Sequence, residues 1–171
     1  MRSFLLVLTM ALAAQSQQPQ PYDVNGVQLG SSFSDWKRGA GANCEKWHPV
    51  ETGVDSYACP DTTYAGAPVG EMVNFYHGRL LSFYLMASHR DFASLRAALK
   101  QKLGQPERTE QRVFDLDGAS REVEVNRWSN GITSLNLIEF SPDKDHTVIF
   151  LSHIGLMAEQ AKEQKSQTGG T

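Results

Sequence analysis

The segment from Ser88 to Pro106 constrains the fold more than any other part of the chain. Ser88 and Asp91, three residues apart, read as a capping box, and Phe92, Leu95, Leu99 and Leu103 then recur at helical spacing. Gly104 stands where a C-cap glycine belongs, and Pro106 blocks continuation. A helix with one apolar stripe must bury it against something. The chain that follows supplies four strand-like stretches, at about Thr109–Leu116, Arg121–Trp128, Ile132–Phe140 and His146–His153.

Upstream, Met72–Tyr76 and Arg79–Ala87 flank His77-Gly78 and read as a β-hairpin, with His77 in a left-handed tip. Ser32 and Asp35 open a shorter helix carrying Phe33 and Trp36, which Gly39 and Gly41 end early. The stretch from Cys44 to Pro68 reads as loop with one strand near Ser56–Cys59. The predicted fold is therefore α+β: a hairpin plus a four-stranded antiparallel meander, packed by one main amphipathic helix, with a short N-terminal helix. The turns at Asp117–Ser120 and Ser129–Gly131 set Phe114 opposite Val123, Val125 opposite Leu135 and Val123 opposite Leu137. These registers place the valines and leucines on one face, under the helix; a charged outer face of the meander, Arg112, Glu122, Glu124 and Arg127, is read as a second candidate surface. Each half offers a helix followed by strands, which suits a duplicated α-β unit without any residue-level repeat.

The N-terminus carries an address. Arg2, the apolar run Phe4–Ala14 and a small-then-polar stretch through Ser16 have the order of a secretory signal, expected to occupy residues 1–16. The run is too short to span a bilayer. Gln15 stands where lipidation would need a cysteine, so neither a transmembrane segment nor a lipid anchor is expected. A Gln/Pro spacer over 17–21, one domain over 22–160 and a polar, disordered tail over 161–171 complete the expected organisation. Without the leader, 15 Lys and Arg face 19 Asp and Glu, interleaved rather than clustered. That balance argues against a nucleic-acid partner. Export to an oxidising compartment, periplasmic or extracellular, turns Cys44 and Cys59 into a predicted disulfide closing about 15 residues, worth roughly 3 kcal/mol.

The familiar catalytic signatures are missing from the sequence: Gly-x-Ser-x-Gly, His-Glu-x-x-His, Gly-x-x-x-x-Gly-Lys and Cys-x-x-Cys. His146 and His153 lie about 23 Å apart on one strand and cannot share a metal. No catalytic, metal or cofactor residue is nominated. The aromatic loop is the candidate instead: Trp47, His48, Tyr57 and the nearby Tyr64 place rigid amphipathic side chains in or beside a covalently closed segment, suited to a protein partner.

Two segments resemble a known group. Val24-Asn25-Gly26-Val27-Gln28-Leu29-Gly30-Ser31-Ser32 resembles the lead-in to the first helix of small exported proteins of the outer-membrane-assembly lipoprotein and β-lactamase-inhibitor-protein type. Leu99-Lys100-Gln101-Lys102-Leu103-Gly104-Gln105-Pro106 resembles the helix exit common in periplasmic proteins. The resemblance implies a helix-plus-antiparallel-sheet domain that acts by binding other proteins. The expected function is a periplasmic or secreted binding or accessory protein without catalytic activity. The alternatives are an inhibitor of a secreted hydrolase (protease, lysozyme or β-lactamase), or a hydrolase with a non-local site using His48 and Glu51.

Overall fold

The computed structural model describes residues 20–47, 53–116, 119–139 and 146–168. A two-stranded ribbon, β1 (Asp23–Val24) and β2 (Val27–Gln28), leads into α1 (Phe33–Arg38). Then come β3 (Glu45–Trp47), β4 (Val54–Tyr64), β5 (Ala67–Tyr76) and β6 (Arg79–Ser88). The second half repeats the plan: α2 (Phe92–Leu103), β7 (Arg108–Leu116), β8 (Ala119–Ser129), β9 (Thr133–Ile138) and β10 (His146–His153), closed by α3 (Ile154–Thr168). The eight longer-range strands form one antiparallel sheet in the order β3-β4-β5-β6-β10-β9-β8-β7. Each half is thus a helix followed by a four-strand meander, and the two meanders join through their last strands.

Several sequence expectations change here. The hairpin and the later strands share one sheet of eight strands rather than six, because the Cys44–Pro68 stretch, read as loop with one short strand, supplies β3, all of β4 and the start of β5. α3, at 15 residues, is longer than the 12-residue α2 and runs through 161–168, where a disordered tail was expected. Ser88 caps a 3₁₀ turn at His89–Asp91 by accepting from the Arg90 amide, so α2 itself starts one turn late. Gly104 ends it as predicted, at φ 84°.

The largest correction concerns register. Arg112 rather than Phe114 pairs with Val123, and Val125 pairs with Ile138 rather than Leu135. Asn130 is the cause at the second turn. Its side-chain oxygen accepts from the Ile132 amide (3.1 Å), the Thr133 amide (2.8 Å) and the Thr133 hydroxyl (3.1 Å). This Asx-type turn lengthens the loop and sets Ser129 opposite Ser134. The slip against expectation is an odd number of residues, so it exchanges faces. Trp128, Asn126 and Glu124 face α2, while Val123, Val125 and Arg127 face the other way.

α1 and α2 cover one face of the sheet. Leu95 and Leu99 are fully buried against Leu135, Leu137, Ile149 and Leu151, and Trp128 donates its indole N–H to Gly104 O at 2.9 Å, tying β8 to the end of α2. At the other end Phe33, Trp36, Tyr57 and Phe75 form an aromatic cluster with centroids 4.9–5.9 Å apart. Gly41 is required there, because a Cβ would lie 2.5 Å from the Trp36 ring.

Candidate functional site

The opposite face is only partly covered. Its strands contribute lateral rows, one residue per strand. One row reads Trp47-Ser56-Asn74-Ser82-Ser152-Ser134-Ser129 across seven strands. Ser56 donates to Asn74 Oδ1 (2.7 Å), Asn74 Nδ2 donates to Ser82 (3.0 Å), and Ser134 and Ser152 share a bond of 3.0 Å. Hydroxyls this deeply buried need such partners. The neighbouring row is Met72-Tyr84-Phe150-Asn136-Arg127, all at least partly exposed.

α3 lies over one end of this face. Leu156 and Met157 pack with Val54, Tyr76 and Leu81. His153 accepts from the Leu156 amide at 3.3 Å and so caps the first turn, which requires an unprotonated Nδ1. Burial lowers the His153 pKa and favours that neutral form, and the nearby Arg79 charge acts the same way. Farther along α3, Glu163 accepts from the Tyr76 hydroxyl and lies 3.1 Å from His77 Nε2. The Tyr76 bond holds Glu163 below the usual carboxylate range, and the Tyr76 hydroxyl is pushed up to about 12 by the same bond. His77 has the expected left-handed backbone, at φ 49°.

Between α3 and the sheet is a cleft of about 200 Å³, lined by Trp47, Met72, Asn74, Phe150, Met157 and Gln160. Phe150 also borders a second depression, about 360 Å³, over Tyr84, Val125, Ile138 and Val148 with Arg112 and Arg127 at its rim. The two depressions adjoin at Phe150 on this face of the sheet and are together called the groove below.

The aromatic candidates separate on this frame. Trp47 is 52% exposed, on the edge strand β3. Tyr57 is paired with Lys46, one residue out of step, and so points into the aromatic cluster on the other face. Tyr64 is also core, with Lys102 5.9 Å from its ring centroid, and burial raises its hydroxyl pKa. His48, with Pro49 and Glu51, lies outside the described residues. Cys44 and Cys59 form the disulfide, which staples β3 to β4 at the end of β3 opposite Trp47. The groove residues Met72, Tyr84 and Phe150 were missed by sequence reasoning. The run Thr147-Val148-Ile149-Phe150-Leu151 carried the signal, because a strand apolar on both sides needs cover on both faces.

The outer face predicted to mix charges also divides. Arg112 and Arg127 border the groove, whereas Glu124 is on the α2 side, bonded to Arg96 (2.7 Å) and Asn126 (2.6 Å). Those two bonds, Asn126 first, hold Glu124 below the usual carboxylate range. Among the described residues no three His, Cys, Asp or Glu side chains cluster as a metal site, and no helix is long and apolar enough to cross a membrane.

No family model matches the chain, and no curated protein matches it. Among solved structures, a cysteine-rich secretory protein from Staphylococcus aureus is similar at 14% identity and a TM-score of 0.47. The match covers 84% of this chain and 50% of that one, so the chain spans about half the length of its structural neighbour.

Proposed function

We propose that the protein is an exported, non-catalytic binding or accessory module that engages a protein partner through the groove on the open face of its sheet. The observation that carries this reading is Trp47. It is a large aromatic, half-exposed on a disulfide-stapled hairpin, at the mouth of a cleft floored by Met72 and Phe150. Aromatic anchors beside preformed apolar pockets are where interface energy concentrates, and a stapled hairpin loses little entropy on docking. The leader-like N-terminus and the disulfide support export to the periplasm or beyond the cell.

The test is affinity capture from a periplasmic or secreted fraction by the full chain, beside Trp47→Ala and Val113→Ala variants. Val113 is 69% exposed on the other face of the sheet. Trp47→Ala should lose what the wild type and Val113→Ala retain. Equal recovery by all three would remove the groove from the reading. The disulfide-stapled strand pair also supports a second reading, an inhibitor that inserts Trp47 into a secreted hydrolase. Titration against protease, lysozyme and β-lactamase panels separates the two, since an accessory module leaves every rate unchanged.

A further inference from the structure

We infer that the partner segment lying in this groove is acidic, and that Arg112 and Arg127 recognise its carboxylates; the inference rests on the open-face reading above. The β7–β8–β9 register sorts charge by face. Arg108, Arg112 and Arg127 share the groove side with one described carboxylate, Glu110. Glu110 pairs with both Arg108 (2.7 Å) and Arg112. Arg127 is exposed and has no carboxylate partner among the described residues. Three guanidinium groups against one carboxylate is a local surplus of positive charge on a chain whose formal charge is −3.

The ground between the arginines is largely apolar, with Glu110 at its β7 edge and Asn136 and Ser134 beside it. Val125 and Val148 are buried, with Ile138 and Phe150 partly exposed beside them. Guanidinium forks bind carboxylates bidentately, and they do so more strongly where an apolar floor excludes water. The complementary ligand is a peptide segment in which glutamate or aspartate alternates with a large apolar side chain. A phosphate polyanion fits less well, because the net charge of the chain repels it.

The test uses the full chain and a fluorescein-labelled ten-residue peptide alternating Glu with Phe and Leu, followed by anisotropy. A Gln-for-Glu analogue, phosphatidylglycerol vesicles and a single-stranded oligonucleotide serve as the other arms. The Glu peptide should bind at least tenfold tighter than its Gln analogue and weaken as salt rises. The Arg112→Gln/Arg127→Gln variant should lose that preference, whereas Arg38→Gln, on α1, should keep it. A matched thermal transition for both variants confirms that folding is intact. Equal binding of the Gln analogue, or vesicles or oligonucleotide binding as tightly as the Glu peptide, would overturn the inference. A partner captured by the wild type that Trp47→Ala loses and the double arginine variant keeps would defeat the acidic assignment alone. One that both variants keep would defeat the groove reading as well.

Discussion

The two faces of the sheet are built on opposite plans from the same strands. The face under α1 and α2 is closed by leucine, phenylalanine and tryptophan, several of them with no exposure at all. The open face carries a hydrogen-bonded row of serine and asparagine, then a half-exposed, largely apolar row that ends in Arg127, with Arg112 farther along. A closed apolar face gives stability through area and packing, whereas a satisfied polar row contributes little net stability but fixes one arrangement. The difference teaches that stability and recognition are housed on separate sides of one β-layer.

The sharpest way to break this division is to cut matching holes in each face. Leu99→Ala, under α2, should cost about 2–5 kcal/mol in urea unfolding, and Ile138→Ala in the groove roughly half of that or less. Equal losses would mean that the open face is as much core as the other. The staple comes next. Cys44→Ser/Cys59→Ser should lower stability by about 3 kcal/mol, for a cross-link between residues 15 apart in sequence. Tryptophan fluorescence would also report whether Trp47 keeps its place when β3 is no longer tied down.

Smaller still is the polar row. A double-mutant cycle on Ser134→Ala and Ser152→Ala should return a coupling of about 1 kcal/mol, because each single change leaves the other hydroxyl buried without that partner. A coupling near zero would show that the row is filler.

The smallest effect concerns Glu71, which sits between Cys59 and Leu85 in the register of the helix-covered face. Burial raises its carboxyl above the ordinary glutamate value. Between that ordinary value and the raised one, the native state binds more protons than the unfolded chain, so its contribution to stability falls as pH rises through this window. Below the ordinary value the contribution is fully present. Glu71→Gln should therefore flatten the pH profile above the ordinary glutamate pKa, as measured by thermal melts across pH.

Much of this molecule was legible from residues alone. The α2 stripe, the Gly104 stop, the left-handed His77 tip, the bounds of the later strands within a few residues, and the cysteine pair all follow from local chemistry. α3 was hidden because Lys162 to Thr168 is polar, and the apolar Leu156 and Met157 that pack on the sheet stand near its start. The candidate site was half visible: Trp47 stands out as an exposed aromatic, but Tyr57 and Tyr64 look equally suitable in sequence and are core in the fold.

Local sequence determined which segments are strands and helices, since periodicity, caps and turn residues act within a few positions. Which side of the sheet each strand residue occupies was decided only by tertiary structure. One Asx turn at Asn130 moves β8 by an odd step against β9, and with a two-residue side-chain period that step carries Glu124 under α2 and leaves Arg127 facing the groove.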